Sequence, residues 1–331
     1  MIETFYEYSL LETIPISETP SRLLRINVSE ECNLNCMFCC WKSTQKENLN
    51  HHFSIKDYLF ILKVAIETKT YKRVMLTGGE PLMLDNKFLF EFIKSATKFK
   101  KKNEIESFWI CSNGTLLKEK ALLLSEAGLQ NIDISIAANS DIGYETYTKS
   151  KIKIDEVLEG ISEASKHNID VRLAVPVYKG GLDNYKELLN LINLTKSYGA
   201  KSLGYFKLHK TNNNAYIFDK LVTDVNPITK AFTTDCQWHQ INVDGQIRMV
   251  DKDGFQIIIP CQIKKATENC KSMKCGDYCQ GTYASYINGT KLQKCHRTFS
   301  NGFNSIDIKK VVIERDYKSL ANILKESSNF S

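Results

Sequence analysis

A strand–helix alternation, repeated six times along the first two-thirds of the 331 residues, constrains this chain more than any other feature. Leu24 to Val28, Arg73 to Thr77, Ser107 to Cys111, Ile132 to Ile136, Val171 to Val177 and Ser202 to Lys207 read as strands. Between them, apolar residues recur at the three- and four-residue spacing of a helix with one buried face. Ile55, Tyr58, Leu59 and Leu62 make one such stripe. Phe88 to Ala96 and Lys118 to Ala127 carry others, as do Ile154, Val157, Leu158 and Ile161, then Tyr185, Leu188, Leu189 and Ile192. Ser54 precedes the first stripe with Asp57 three residues on, the spacing of a reciprocal N-terminal cap. βα units in series imply a parallel sheet covered by helices. The expected fold is α/β, a partial (β/α)6 barrel of the TIM type, with chemistry at the C-terminal strand ends.

From about Asn212 this rhythm gives way to short β-like runs, Gly turns and cysteines. The expected organisation is an N-terminal extension (1–21), the partial barrel (22–211), a small cysteine-rich domain (212–305) and a helical tail (306–331). In the tail, Tyr317, Leu320 and Leu324 have helical spacing and should pack back on the barrel.

The balance of 44 basic and 38 acidic side chains gives a net charge of +6. That is too mild to argue for nucleic acid, and Lys98 with Lys100 to Lys102 reads as a solvated helix end. No run approaches the ~20 apolar residues of a membrane helix. Glu3, Glu7 and Glu12 occupy the region where a signal peptide is basic. A cytoplasmic protein without membrane partners is expected.

Eleven cysteines stand out, and in a reducing compartment they suit metals better than disulfides. Four fall between Cys32 and Cys40 and six between Cys236 and Cys295, while Cys111 reads as a buried free thiol in the third strand. Cys32, Cys36 and Cys39 follow the first strand at spacing C-x3-C-x2-C. Three thiolates on one loop can wrap one face of an iron–sulfur cubane and leave the fourth iron open for chemistry. Zinc would want a fourth ligand; Cys40 is adjacent to Cys39, and neighbouring residues seldom reach one metal.

This motif, with Phe38 before the last cysteine, resembles the signature of the radical S-adenosylmethionine (SAM) superfamily. Thr77-Gly78-Gly79-Glu80-Pro81-Leu82 resembles its Gly-Gly-Glu motif, and Ser112-Asn113-Gly114, Ser135 and Arg172 follow in family order near later strand ends. The resemblance covers about residues 22 to 210. It implies a [4Fe–4S] cluster on Cys32, Cys36 and Cys39, with SAM on the open iron. Gly78 and Gly79 would let the backbone approach the methionine moiety, and Glu80 would accept from its ammonium group. Ser112 and Asn113 would meet the ribose, Ser135 and Arg172 the carboxylate, and Phe38 the adenine. The implied reaction is one-electron cleavage of SAM to methionine and a 5′-deoxyadenosyl radical, which takes a hydrogen atom from the substrate.

In the C-terminal region, Cys275 and Cys279 precede Tyr283 to Ile287, Asn288-Gly289 and Lys291 to Cys295. Asn-Gly between strand-like runs signals a type I′ hairpin, which would return Cys295 beside Cys279. This arrangement resembles the auxiliary-cluster (twitch/SPASM-like) domains of radical SAM enzymes, most nearly the GTP-rearranging branch of molybdenum-cofactor biosynthesis. The resemblance implies at least one auxiliary [4Fe–4S] cluster on Cys275, Cys279 and Cys295, with Cys270 or Cys261 as an alternative fourth ligand. A zinc ribbon is the competing reading. Cys236 is a ligand, a structural thiol or a hydrogen-atom donor to a substrate radical. Gln280-Gly281-Thr282-Tyr283 replaces that branch's Asn-Arg-x-Arg run, and the chain ends Asn329-Phe330-Ser331 rather than Gly-Gly, so GTP is not the expected substrate.

The expectation is a small-molecule or nucleotide-type substrate in natural-product or cofactor biosynthesis, with an external one-electron reductant such as flavodoxin or ferredoxin. About twenty residues before the first strand are too few for a fused peptide-recognition domain. Peptide maturation is the alternative enzymatic reading, and an iron–sulfur electron carrier without SAM chemistry the non-enzymatic one. His51, His52 and His209 read as exposed, although His209, beside Lys207 and Lys210, could be reached by a substrate.

Overall fold

The computed structural model describes residues 23–39, 53–208, 215–243, 246–259, 284–293 and 305–328. Six parallel strands form its centre: β1 (Leu23–Asn27), β2 (Arg73–Thr77), β3 (Ser107–Ser112), β4 (Asn131–Ser135), β5 (Asp170–Val177) and β6 (Ser202–Lys207). The sequence places all six within one or two residues. Each pairs with the next in register, for example Leu23 with Arg73 and Asn131 with Asp170.

Alternate residues of these strands face two different environments. Ile26, Leu76, Ile110, Ile134 and Leu173 are fully buried against the helices. Burying each such side chain stabilises the fold by ~1.5–3 kcal/mol. Those helices are α1 (Ile55–Glu67), α2 (Asn86–Lys101), α3 (Leu117–Glu126), α4 (Asp141–Thr148), α5 (Ile154–Lys166) and α6 (Tyr185–Ser197). At α1 the reciprocal cap forms: Ser54 Oγ accepts from Asp57 N–H, and the Asp57 carboxylate accepts from Ser54 N–H at 2.8 Å.

Short α4 is absent from the sequence reading because only eight residues hold it. Ser140 caps it, and Lys149 ends it in the left-handed conformation (φ +53°). The region after 212 also departs from expectation. Its first described residues form two helices, α7 (Ala215–Leu221) and α8 (Asn226–Thr234), before any strand. Ile228 and Phe232 are the buried residues of α8.

The later strands extend the same sheet at both edges. β7 (His239–Val243), β8 (Gln246–Val250) and β9 (Gln256–Ile258) form an antiparallel set whose β9 runs parallel to β6. β10 (Ala284–Asn288) runs parallel to β1, followed by antiparallel β11 (Lys291–Gln293) and β12 (Ser305–Asp307). The sheet order is β12-β11-β10-β1-β2-β3-β4-β5-β6-β9-β8-β7, an open, twelve-stranded sheet. Asn27 Nδ2 donates to Asn288 Oδ1 at 2.8 Å, which adds a side-chain bond to the β1–β10 seam.

The expected hairpin forms, with a correction to its turn. Asn288 pairs with Lys291, so the two loop residues are Gly289 and Thr290 rather than Asn288 and Gly289. Gly289 holds φ +55° at the first loop position, and Thr290 is not among the positive-φ residues. That suits a type II′ turn, whereas type I′ needs positive φ at both positions.

The tail forms α9 (Lys309–Ile313) and α10 (Tyr317–Ser328), with Leu320 and Leu324 fully buried and Tyr317 exposed. Arg315, between them, pairs with Asp57 of the α1 cap at 2.8 Å and lies 5.0 Å over the Phe60 ring. The tail therefore docks on α1. Gly289→Val should lower stability by ~1–2 kcal/mol, because a β-branched residue resists positive φ. Gly289→Asn should cost less. Denaturant titration of both variants checks this, and equal losses would contradict the turn assignment.

Candidate functional site

The loop after β1 carries Cys32, Cys36 and Cys39, and none of the three is in a disulfide. Three kinds of contact shape it. First, it pairs with the chain leaving β2: Val28 N–H donates to Thr77 O at 3.0 Å, Gly79 N–H to Ser29 O at 2.6 Å and Glu80 N–H to Glu31 O at 2.7 Å. This pairing requires glycine. A Cβ on Gly79 would stand 2.1 Å from Glu31 O, and one on Gly78 2.4 Å from Ser29 O. The close approach expected of Gly78 and Gly79 is thus made to the cysteine loop's own backbone.

Second, the loop rests on the end of α4. Asn35 N–H donates to Thr148 O at 2.8 Å and Met37 N–H to Tyr147 O at 2.9 Å, one on each side of Cys36. Third, Phe38 stacks on Tyr178 with ring centroids 5.3 Å apart. Tyr178 is fully buried, its hydroxyl donates to Ala137 O, and Tyr147 packs on its ring at 4.3 Å. Leu208 and Leu221 complete this apolar cluster beside the loop.

Glu80 joins the neighbouring strand ends. It is fully buried; its Oε1 accepts from Leu82 N–H at 2.9 Å and Ser112 Oγ at 2.7 Å, and its Oε2 from Asn113 N–H at 2.7 Å. Burial raises its pKa, and these three donors work the other way. Ser112 is engaged as well, accepting from Gly114 N–H at 2.9 Å. Asn113 donates to Asn33 Oδ1 at 2.8 Å and points the same amide at Cys32 Sγ, 3.7 Å away. Thr115 closes the ring, donating to Asn113 Oδ1 and accepting from Asn33 Nδ2, both at 2.7 Å.

The concave face of the sheet, opposite the helices, is polar along one row. Asn288, Asn27 and Thr77 lie side by side in register. Cys111, Asp133, Arg172, Ser202 and Gln256 continue across β3, β4, β5, β6 and β9. Leu76 pairs with Ile110, so Thr77 and Cys111 join the two halves of the row. Arg172 is held within this row. Its Nε donates to Asp133 Oδ1 at 2.7 Å, its Nη2 to Asp133 Oδ2, and its guanidinium lies 5.8 Å over the Trp109 ring. Its side chain remains 37% exposed and the carboxylate beside it only 8%. Burial pushes the Cys111 thiol up to about 12, and Asp133 adds to that, which keeps it neutral. Ser135 ends β4, half-buried, opposite Ala174.

The sequence reading missed Asp133, Asn33 and Tyr144. For Asp133 a signal exists: Asn131, Asp133 and Ser135 alternate with Ile132 and Ile134, so β4 must show one polar face. Cys236 is described and exposed, in the turn after α8, away from this loop in sequence and in the sheet order. Cys40, Cys261, Cys270, Cys275, Cys279, Cys295, His51, His52 and His209 lie outside the described residues.

The donor set suits an iron–sulfur cluster. Three cysteines share one loop, and backbone bonds hold that loop from both sides. Burial raises the Cys32 pKa, Glu80 and Cys39 raise it further, and Leu34 N–H and the Asn113 amide oppose this. Among the described residues no three His, Cys, Asp or Glu side chains form a preassembled metal site. A buried orphan donor also points to a missing group: the Tyr144 hydroxyl has no hydrogen-bond partner among the described residues. Gly79→Ala should leave the helical content intact and sharply reduce iron taken up on anaerobic reconstitution. Iron analysis beside far-ultraviolet circular dichroism checks this, and unchanged iron would contradict the role given to the β2 pairing.

Comparison with known proteins agrees with this geometry. The sequence model of the radical SAM superfamily matches residues 26–195. The GTP 3′,8-cyclase of Campylobacter lari is 32% identical over 178 residues, 52% of this chain and 51% of that protein. The GTP 3′,8-cyclase of Petrotoga mobilis is 31% identical over 214 residues, 61% of this chain and 63% of that protein. The chain thus spans about half to two-thirds of the length of the curated relatives it matches. Among solved structures, Streptococcus suis SuiB bound to precursor peptide SuiA shares the fold, with a TM-score of 0.57 at 13% identity. That match covers 92% of this chain and 66% of SuiB. HydG, a maturase of the [FeFe]-hydrogenase, matches with a TM-score of 0.51 at 19% identity, over 63% of this chain and 48% of HydG.

Proposed function

We propose that this chain, which belongs to the radical SAM superfamily and is therefore an enzyme using SAM and a [4Fe–4S] cluster, acts on a small polar molecule held against the concave face of its sheet. When bound, the cluster and SAM would supply one-electron radical chemistry. The chain's own residues bind, orient and exclude water. Cys32, Cys36 and Cys39 hold the cluster, and Phe38 with Tyr178 shields that turn. Ser112, Asn113 and Ser135 stand at the ends of β3 and β4 where SAM would lie, and Arg172, third residue of β5, lies deeper in the sheet. Oε2 of Glu80 accepts one protein bond and so keeps acceptor capacity for an ammonium group.

The observation that carries the substrate class is the polar row. TIM-type barrels fill their interiors with layers of branched aliphatic side chains. Here Asn27, Thr77, Asp133, Arg172, Ser202 and Gln256 form a polar row on the concave face, beside the apolar Leu23, Met75 and Trp109. Arg172, tethered by Asp133, retains an exposed edge for a carbonyl or anionic group. Trp109 Nε1, under it, is a buried donor without a partner among the described residues. Such a lining suits a compact polar ligand, of the kind handled in natural-product or cofactor biosynthesis.

An auxiliary [4Fe–4S] cluster in the 212–305 region is part of this proposal. β10 runs parallel to β1 and β11 antiparallel to β10. Ala284 and Gln293, the strand ends leading to Cys279 and Cys295, therefore both lie at the mouth opposite the Cys32 loop. Radical SAM enzymes take electrons from an external donor, and a flavodoxin or ferredoxin in the cytosol fits this role. No helix of the described residues is long and apolar enough to cross a membrane.

The test is anaerobic reconstitution with SAM and dithionite. The wild type should release 5′-deoxyadenosine, and the Cys32, Cys36 and Cys39 triple Ala variant should not; release by the triple variant would contradict the assignment. Deuterated cell extract, split into small-molecule and peptide fractions, tests the substrate class. Deuterium should enter 5′-deoxyadenosine from the small-molecule fraction. Transfer from the peptide fraction alone would favour peptide maturation instead.

A further inference from the structure

Arg172 meets Asp133 side-on, Nε donating to Oδ1 at 2.7 Å and Nη2 to Oδ2. The pairing of β4 with β5 sets the two residues directly opposite each other, and the Trp109 ring lies against the guanidinium face. Both Asp133 oxygens are engaged and buried, whereas the Arg172 side chain keeps an exposed edge. A guanidinium has five N–H groups. Two go to Asp133, and Nη1 bonds nothing among the described residues. What remains is the end-on edge, where one N–H of Nη1 and one of Nη2 point in parallel. Such a fork matches two oxygens of one planar group.

The fork also opens at a particular depth. Arg172 lies two residues before Ala174, which pairs with Ser135 at the end of β4. At ~3.3 Å per residue it stands ~7 Å below the strand ends where Glu80, Ser112 and Asn113 gather. Arg25 on β1 and Arg248 on β8 alternate with the core residues Leu24, Ile26 and Met249, so they face the same side and favour an anion there. Asp133 balances the charge of Arg172, which suits a group with one negative charge better than one with two.

We propose that the substrate carries a carboxylate received end-on by Arg172, and that Asp133 is the positioning residue that aims this fork. This rests on the reading of the concave face as the substrate surface of a radical SAM enzyme. Without Asp133 the long Arg172 side chain has no single direction; with it, the two free N–H groups are held in place before the ligand arrives.

The small-molecule fraction of deuterated cell extract serves as the probe. Amidation of its carboxylates with carbodiimide and methylamine should abolish deuterium transfer to 5′-deoxyadenosine, and phosphatase treatment should leave transfer intact. Transfer that survives amidation, or that phosphatase destroys, would overturn the proposal; neither result needs a variant that folds. In reconstituted protein with SAM, the untreated fraction should protect Arg172 from phenylglyoxal, read by peptide mass spectrometry, and the amidated fraction should not. Full protection by SAM alone would assign the fork to the carboxylate of SAM and overturn the proposal. Arg172→Gln and Asp133→Asn should each lower transfer roughly tenfold to a hundredfold, by raising the amount of fraction needed for half-maximal transfer. The double variant should transfer as much as Arg172→Gln, because Asp133 acts through Arg172. Losses that multiply in the double variant would overturn the positioning role. A wild type that releases no 5′-deoxyadenosine would instead overturn the radical SAM reading on which the proposal stands.

Discussion

The Glu80 carboxylate is the point on which the site's geometry converges. Its three accepted bonds fix Leu82 after β2, Ser112 at the end of β3 and the Asn113 backbone beyond it. Each bond to a charged acceptor contributes ~1.5–3 kcal/mol, and the burial that makes Glu80 costly when unpaired makes those bonds strong. Through Asn113 the same group sets the amide that faces Cys32 and holds Asn33. Its own N–H bonds Glu31, immediately before the first cysteine. Backbone and side chain of one residue thus tie two strand ends to the metal-binding loop.

The loop gains rigidity from several directions at once. Gly78 and Gly79 permit the β2 pairing, α4 supplies two carbonyls, and the Tyr178 ring lies against Phe38. None of these supports uses a thiol. The sheet beneath separates two tasks by alternation. Its convex face packs aliphatic side chains on the helices and holds the fold. Its concave face carries the polar row, with the Asp133–Arg172 pair at its centre, and provides a surface for ligand. Strand direction then sets the mouths apart, with Cys32 to Cys39 at one and the ends of β10 and β11 at the other.

The six parallel strands were legible in the sequence because both periods are strong there: buried aliphatic residues in the strands and a regular stripe in each helix. The cysteine spacing and the Gly-Gly-Glu run were equally plain, being local patterns that need no tertiary information. What the sequence hid depends on register. Asp133 lies beside Arg172 only because β4 and β5 pair in a particular alignment, and a parallel alignment is set by packing far away in sequence. The role of Gly79 was legible as a need for no Cβ, but its neighbour, the Glu31 carbonyl, was not. The hairpin is legible in the sequence, but its turn sits one residue later than Asn-Gly suggests, since Asn-Gly and Gly-Thr both offer a glycine that tolerates positive φ. That β10 would join β1 directly had no local signal.

The central claim is that the loop after β1 presents a cluster with an iron open to SAM. Electron–nuclear double resonance on the reduced, reconstituted protein tests it most directly, using SAM labelled with 15N in the amino group and 17O in the carboxylate. The account predicts hyperfine couplings from both labels, as direct ligation of one iron requires. Absence of both couplings in protein that holds a reduced [4Fe–4S] cluster would contradict it.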